Sequence, residues 1–271
     1  MKPIKDQVIL VTGATDGLGK GIALDLAGRG ATILVHGRDA KRIESTVSDI
    51  KKIAKAGSVR SYRADFASLD QVRSMAGQII SSEKRLDALV NNAGVGSRVP
   101  GGGRIESADG YEYRFAVNYL APYLLTRLLL PALKASAPSR IVNVSSAGQQ
   151  ALDFDDVMLE REYSGIRAYC QSKLAQILFT IDLAEELRGT GVTVNALHPA
   201  TYMPTKIVEH PVSTLESGVE ATVSLVVEAS LADTSGRYFN GLVEARADQQ
   251  AYQAGARKRL HELSDRLTGL A

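Results

Sequence analysis

QVILVTGATDGLGKG, residues 7–21, is the stretch that organises the rest of the chain. It opens on Val8-Ile9-Leu10-Val11, a short continuous apolar run rich in β-branched residues. That is the pattern of a strand covered on both faces. Gly13, Gly17 and Gly19 follow where the strand must turn, and GLGKGIALDLAGRG (17–30) continues with the composition of a helix. Glycines at such a turn let the backbone approach a pyrophosphate closely, and a helix N-terminus adds N–H groups and a favourable dipole. The spacing is Gly-x3-Gly-x-Gly, distinct from the Gly-x-Gly-x-x-Gly of the commonest dinucleotide fingerprint.

Working outward, β-rich runs alternate with longer helical patterns. The strand candidates are 7–12, 31–36, 59–63, 87–92, 140–145, 192–197 and 237–241. Apolar strands alternating with amphipathic helices predict an α/β chain with a parallel sheet covered on both faces. With no linker-like shift in composition and no internal repeat, the whole of 1–271 reads as a single domain. SRVPGGGRIES (97–107) and 199–216 are the least regular pieces, and a substrate lid is expected near 200–216.

Bulk properties exclude several classes. With 32 basic and 30 acidic residues the formal charge is +2, and no dense basic run invites nucleic acid. The single cysteine, Cys170, precludes an intramolecular disulfide. The opening MKPIKDQVILVTGA has no secretory apolar region, and no stretch was expected to cross a membrane, so the reading is a cytoplasmic protein without a metal site.

AYCQSKLA (168–175) carries the candidate chemistry. Tyr169 and Lys173 stand four residues apart with no Pro, Gly or β-branched residue between them, so on a helix phenol and ammonium share a face. The ammonium favours phenolate and is expected to lower the tyrosine pKa. Tyr202 and Lys206 repeat the spacing, but Pro204 lies between them and points to a loop. At the end of the second strand, His36-Gly37-Arg38, an acidic residue would suit NAD and an arginine NADP. Arg38, with Lys41 or Arg42 one turn on, offers a cradle for a 2′-phosphate, whereas Asp16 would repel one. Asp39 reads as a helix cap. NADP(H) is favoured, with NAD(H) the alternative.

Five segments in register, TGATDGLG (12–19), NNAG (91–94), AVNYL (116–120), VNVSSAG (142–148) and YCQSK (169–173), resemble the short-chain dehydrogenase/reductase family. The likeness spans nearly the whole chain and is nearest to the retinol-dehydrogenase-like branch, which often carries a membrane-anchoring N-terminal segment that is not expected here. The resemblance implies a Rossmann-like doubly wound parallel sheet of about seven strands. It implies a catalytic tetrad in which Tyr169 is the acid or base, Lys173 holds the nicotinamide ribose, Ser146 bonds the substrate oxygen and Asn118 completes a proton route. Ser145 would point away from the site.

The resemblance also implies cofactor contacts from Gly13, Thr15, Asp16, Gly17, Leu18 and Gly19 in the turn, and from Arg38, Asp65, Phe66, Asn92, Ala93 and Gly94. The chain departs from the family pattern after its sixth strand, where Pro199-Ala200 replaces Pro-Gly and Pro204 replaces the usual Thr or Ser. Pro199 stays a cofactor contact, and the hydroxyl contact moves to Thr201 or Thr205. The implied partners are a small, largely apolar carbonyl or alcohol substrate and a second copy of the chain, in a homodimer or homotetramer built on the long helices that hold Asn118 and Tyr169. A non-catalytic dinucleotide-binding sensor and an epimerase or dehydratase are the competing readings.

Overall fold

The computed structural model describes residues 2–54, 58–98, 103–204 and 210–270. One sheet runs through it: β1 (Val8–Val11), β2 (Thr32–Gly37), β3 (Val59–Arg63), β4 (Ala88–Asn91), β5 (Ser139–Val144), β6 (Val192–His198), β7 (Tyr238–Asn240) and β8 (Val243–Ala245). The order is β3-β2-β1-β4-β5-β6-β7-β8. Every pairing is parallel except β7 with β8, which closes the edge as an antiparallel ribbon. The expected seven strands are present. The eighth is a three-residue edge strand, too short for a period-2 pattern to announce it.

Helices α1 (Gly17–Gly28), α2 (Ala40–Ile53) and α6 (Leu215–Val227) cover one face of the sheet, and α3 (Leu69–Ser82), α4 (Tyr113–Ala135) and α5 (Gly165–Glu186) cover the other. Strand alternation sorts the two cores. Leu10 and Leu34 join the second, while Ile9, Val11, Ile33 and Val35 join the first. Side chains start the helices: Asp39, the cap expected from sequence, accepts from the Arg42 N–H, and likewise Asp16 accepts from Gly17, Ser68 from Gln71 and Ser164 from Arg167.

Helix α4 is long and apolar enough to span a bilayer, contrary to the sequence expectation, but 78% of its most apolar window is buried in the protein. It is a core helix. Residues 116–120 within it form a π-helical turn that carries Asn118.

A seventh helix, α7 (Ala254–Thr268), lies across α4 and α5. Its buried stripe is Arg257, Leu260, Ser264 and Thr268. The Tyr123 hydroxyl donates to Asp265 Oδ1 (2.6 Å), Tyr119 and Ser264 share a bond of 2.7 Å, and Arg257 reaches Glu185 (2.9 Å). Part of the α4/α5 surface on which a second subunit was expected is therefore taken by the chain itself. Lys258, Arg259, Glu262 and Arg266 face outward from α7, and such charges are depleted at interface cores.

Candidate active site

The strand order reverses between β1 and β4, and connections leaving the two strands diverge to opposite faces. The resulting crevice opens at the carboxyl ends of the strands, where ligands bind in open α/β sheets. It is a cleft of about 680 Å³. Of the residues expected to act in catalysis or touch the cofactor, all line it except Asn118, buried just behind its wall, and Thr205, which lies outside the described residues; Lys41 and Arg42, expected beside Arg38, do not line it.

The glycine turn is built by close approach. Gly13 has φ +63°, which favours glycine. A Cβ on Gly19 would lie 2.3 Å from both Asn92 Nδ2 and the Gly13 carbonyl. Asn92 stitches this turn, donating from Nδ2 to the Thr12 carbonyl (2.8 Å) and from its backbone to Thr12 Oγ1 (2.9 Å). Thr15 and Asp16, with Gly17, Leu18 and Gly19 at the start of α1, border the cleft.

Arg38 is two-thirds exposed, donates to the Tyr113 hydroxyl (3.3 Å) and stands 4.0 Å from Asp65. Arg42 lies 3.5 Å from Asp16 Oδ2. The arginine expected to join a phosphate cradle thus instead offsets the carboxylate expected to oppose one. Asp65 accepts from the Ala67 N–H (3.0 Å) as a turn former, and Phe66 stacks on His36.

The candidate catalytic side chains sit on α5 and at the end of β5. Lys173 is buried, and its Nζ donates to the Val144 carbonyl (2.9 Å) and Gln176 Oε1 (3.1 Å). Burial pushes its pKa down to about 7. The Nζ lies 5.9 Å from the centre of the Tyr169 ring, as i, i+4 neighbours on one face should. Burial pushes the phenol up, opposed by a hydrogen bond with Ser146. This corrects the expectation of a lysine-depressed tyrosine: the phenol is desolvated, and a lysine near 7 carries only part of its charge at neutral pH. Ser146 Oγ also accepts from the Gly148 N–H (3.0 Å). Ser145 turns away and donates to the Lys173 carbonyl (2.7 Å).

Asn118 acts as a clamp. Its Oδ1 accepts from the Val95 N–H (2.7 Å), and its Nδ2 donates to the Val95 carbonyl (3.1 Å) and Ser172 Oγ (2.9 Å). A Cβ on Gly94 would come within 3.1 Å of Asn118 Oδ1 and 3.6 Å of Lys173 Nζ, so glycine keeps open the space between them. Thr201 is held by His198 Nε2 (3.0 Å), and Pro199 forms the adjoining wall. Tyr202 lies in the loop its proline indicated, with φ +46° and largely exposed, while Lys206 is outside the described residues. Burial raises the Cys170 thiol, which suits a packing role.

Two buried residues that brace the cleft were not expected from sequence. His36 is buried beneath the glycine turn, and Arg114 is buried beneath the opposite wall. Arg114 pairs with Glu112 (3.3 Å), donates to the Gly96 (3.0 Å) and Ser97 (2.6 Å) carbonyls, and bonds the Tyr163 hydroxyl. It thereby ties the loop after β4 to the start of α5. The acidic neighbour two residues earlier was the only local signal for it.

A glycine turn at the switch point, with room beside it and Tyr169, Ser146 and Lys173 lining the same cleft, fits a nicotinamide dinucleotide and defines an oxidoreductase of the Rossmann type. The chain belongs to the short chain dehydrogenase family, whose sequence model matches residues 7–215. It is 41% identical to human retinol dehydrogenase 13 across 98% of this chain and 86% of that one. Identity with human retinol dehydrogenase 12 is 36%, across 97% of this chain and 87% of that one. Among solved structures it resembles RhlG of Pseudomonas aeruginosa in its NADP active-site complex, at 27% identity and TM-score 0.68, covering 89% of this chain and 97% of that one.

Proposed function

We propose that the protein is an NADP(H)-dependent oxidoreductase that interconverts a carbonyl and an alcohol. The observation that carries the reading is the junction of Tyr169, Ser146 and Lys173 in the cleft that also holds the glycine turn. The cofactor supplies or accepts hydride. Gly13, Thr15, Asp16, Gly17, Leu18 and Gly19 hold its pyrophosphate region, and Asp65, Phe66, Asn92, Ala93 and Gly94 its adenosine side. Lys173 holds the nicotinamide ribose, Pro199 and Thr201 border the ring, and Thr205 is assigned to the same wall from sequence alone. Arg38 carries the preference for NADP(H), since a guanidinium meets a phosphate with charge-assisted hydrogen bonds. Arg42 supports it by offsetting Asp16.

In reduction, Ser146 bonds the substrate oxygen as charge develops there, and Tyr169 donates its proton. A phenol raised by burial stays protonated at neutral pH, which suits the acid role. Lys173 and the Val95 clamp of Asn118 fix the geometry around it. The relatives' names bring an apolar alcohol or aldehyde of the retinol class forward as substrate. Val117, Ile166, Tyr202 and Met203 contribute apolar lining to the cleft, which supports it.

The test is a fluorescence titration of NADPH and NADH, followed by NADPH oxidation with retinal as the probe aldehyde. Tyr169→Phe should bind NADPH as the wild type does and lose turnover by about 10²-fold or more. A well-folded wild type that binds neither dinucleotide, or a Tyr169→Phe with full turnover, overturns the reading.

A further inference from the structure

We infer that His36 is the positioning residue of the cofactor turn: as a neutral imidazole protonated on Nε2, it fixes the Gly13 amide and the Ala64 carbonyl at once, and so sets the shape of the dinucleotide site. The inference rests on the dinucleotide reading given above and adds to it a residue that touches no reacting atom.

The bonding partners settle the tautomer. The Gly13 N–H can only donate, and it points at His36 Nδ1 at 3.2 Å. That nitrogen must therefore be the bare acceptor. The Ala64 carbonyl can only accept, and it lies 3.1 Å from Nε2, which must carry the proton. The backbone carbonyl of His36 takes the Ala14 N–H at 2.9 Å. The first two amides of the glycine turn thus both end on one residue of β2. The ring also lies flat on Phe66, with centroids 4.3 Å apart and planes 18° apart. One side chain joins the turn after β1, the end of β2 and the corner after β3, which are the three walls of the adenosine half of the cleft.

The environment keeps the ring in that form. His36 is 3% exposed. Burial pushes its pKa down to about 4, against the Ala64 bond and the charge of Asp65, both of which raise it. The Gly13 amide is consumed in this bond, so the turn offers its cofactor the amides further along α1, and their direction depends on the Gly13 peptide. A left-handed φ of +63° at Gly13 is the conformation the imidazole bond holds.

Three substitutions separate the two ring nitrogens. His36→Asn places an acceptor where Nδ1 stands and keeps the Gly13 bond. His36→Gln places a donor where Nε2 stands and keeps only the Ala64 bond, and His36→Leu keeps neither. Dissociation constants for NADPH and NADH should weaken about tenfold or more, equivalent to about 1.4 kcal/mol, in His36→Gln and His36→Leu, and stay within about threefold in His36→Asn. Urea unfolding run alongside should show Asn and Gln with similar stability losses, which a merely structural role would carry into binding equally. Nitrogen-15 spectra of the wild type should show the Nε2–H tautomer at neutral pH.

Equal dinucleotide affinity in Asn, Gln and Leu variants, or a wild-type ring protonated on Nδ1, overturns the inference while leaving the oxidoreductase reading intact. A folded wild type that binds neither dinucleotide overturns both.

Discussion

Replacing Lys173 by methionine should change how stability depends on pH, in a direction set by burial. The lysine falls from an ordinary 10.5 to about 7 in the folded protein, with desolvation as the cause. Its folded pKa lies below its unfolded one, so between those values the unfolded chain binds more protons. Stability of the wild type therefore rises with pH across that window. Each unit of pKa corresponds to about 1.4 kcal/mol, so the contribution amounts to about 2 kcal/mol between pH ~7 and ~9. Lys173→Met lacks this term. It also loses the bonds to Val144 and Gln176, but that cost is nearly the same at every pH and drops out of the comparison.

The assay is urea unfolding of both proteins at several pH values from about 7 to 9, with the difference in free energy plotted against pH. The wild type should gain on the variant by about 1 kcal/mol per pH unit. Tyrosines and other titrating groups are common to both chains and cancel. Parallel profiles would show that Lys173 stays fully charged in the folded state, and the account of a desolvated ammonium beside a protonated phenol would be refuted.

Arg38→Ala should weaken NADPH binding about tenfold or more and leave NADH nearly unchanged in the same fluorescence titration, because only the former has a phosphate for the guanidinium to meet. Gly19→Ala forces a methyl against the Gly13 carbonyl at 2.3 Å, so it should cost about 1–3 kcal/mol in urea unfolding and abolish dinucleotide binding. Arg114→Met leaves Glu112 buried without its cation and should destabilise by about 3–5 kcal/mol, whereas Arg114→Met combined with Glu112→Gln should recover much of that loss in a double-mutant cycle.

The sheet was legible because β1 is an unbroken apolar run and β2, β4, β5 and β6 are rich in apolar residues between turns. Strand β3 matches its expected span, Val59–Arg63, although Arg60, Ser61 and Arg63 interrupt its apolar pattern. Tyr169 and Lys173 were legible because helical spacing alone makes them neighbours. What sequence could not supply was depth. Nothing local to Lys173 says that its ammonium is desolvated, and nothing local to Tyr169 says that burial outweighs its neighbour. His36 escaped notice because its partners, Gly13 and Ala64, lie on two other strands' ends and are backbone groups without a side-chain signature. The pairing of Arg42 with Asp16 was not legible for a related reason. Its charge was visible, but its distance to Asp16 depends on how α2 sits against the glycine turn.

Helix α7 bears on how the protein is made. It docks on Tyr119, Tyr123, Asp182 and Glu185, and its far end reaches back to Arg73 and Tyr111. All of those residues leave the ribosome before α7 does. At about 5–20 residues per second, the aromatic face of α4 waits several seconds for its cover, open to chaperones and to other nascent copies. Co-translational yield should therefore be more sensitive to substitutions on the inner stripe of α7 than the equilibrium stability of the finished chain would suggest.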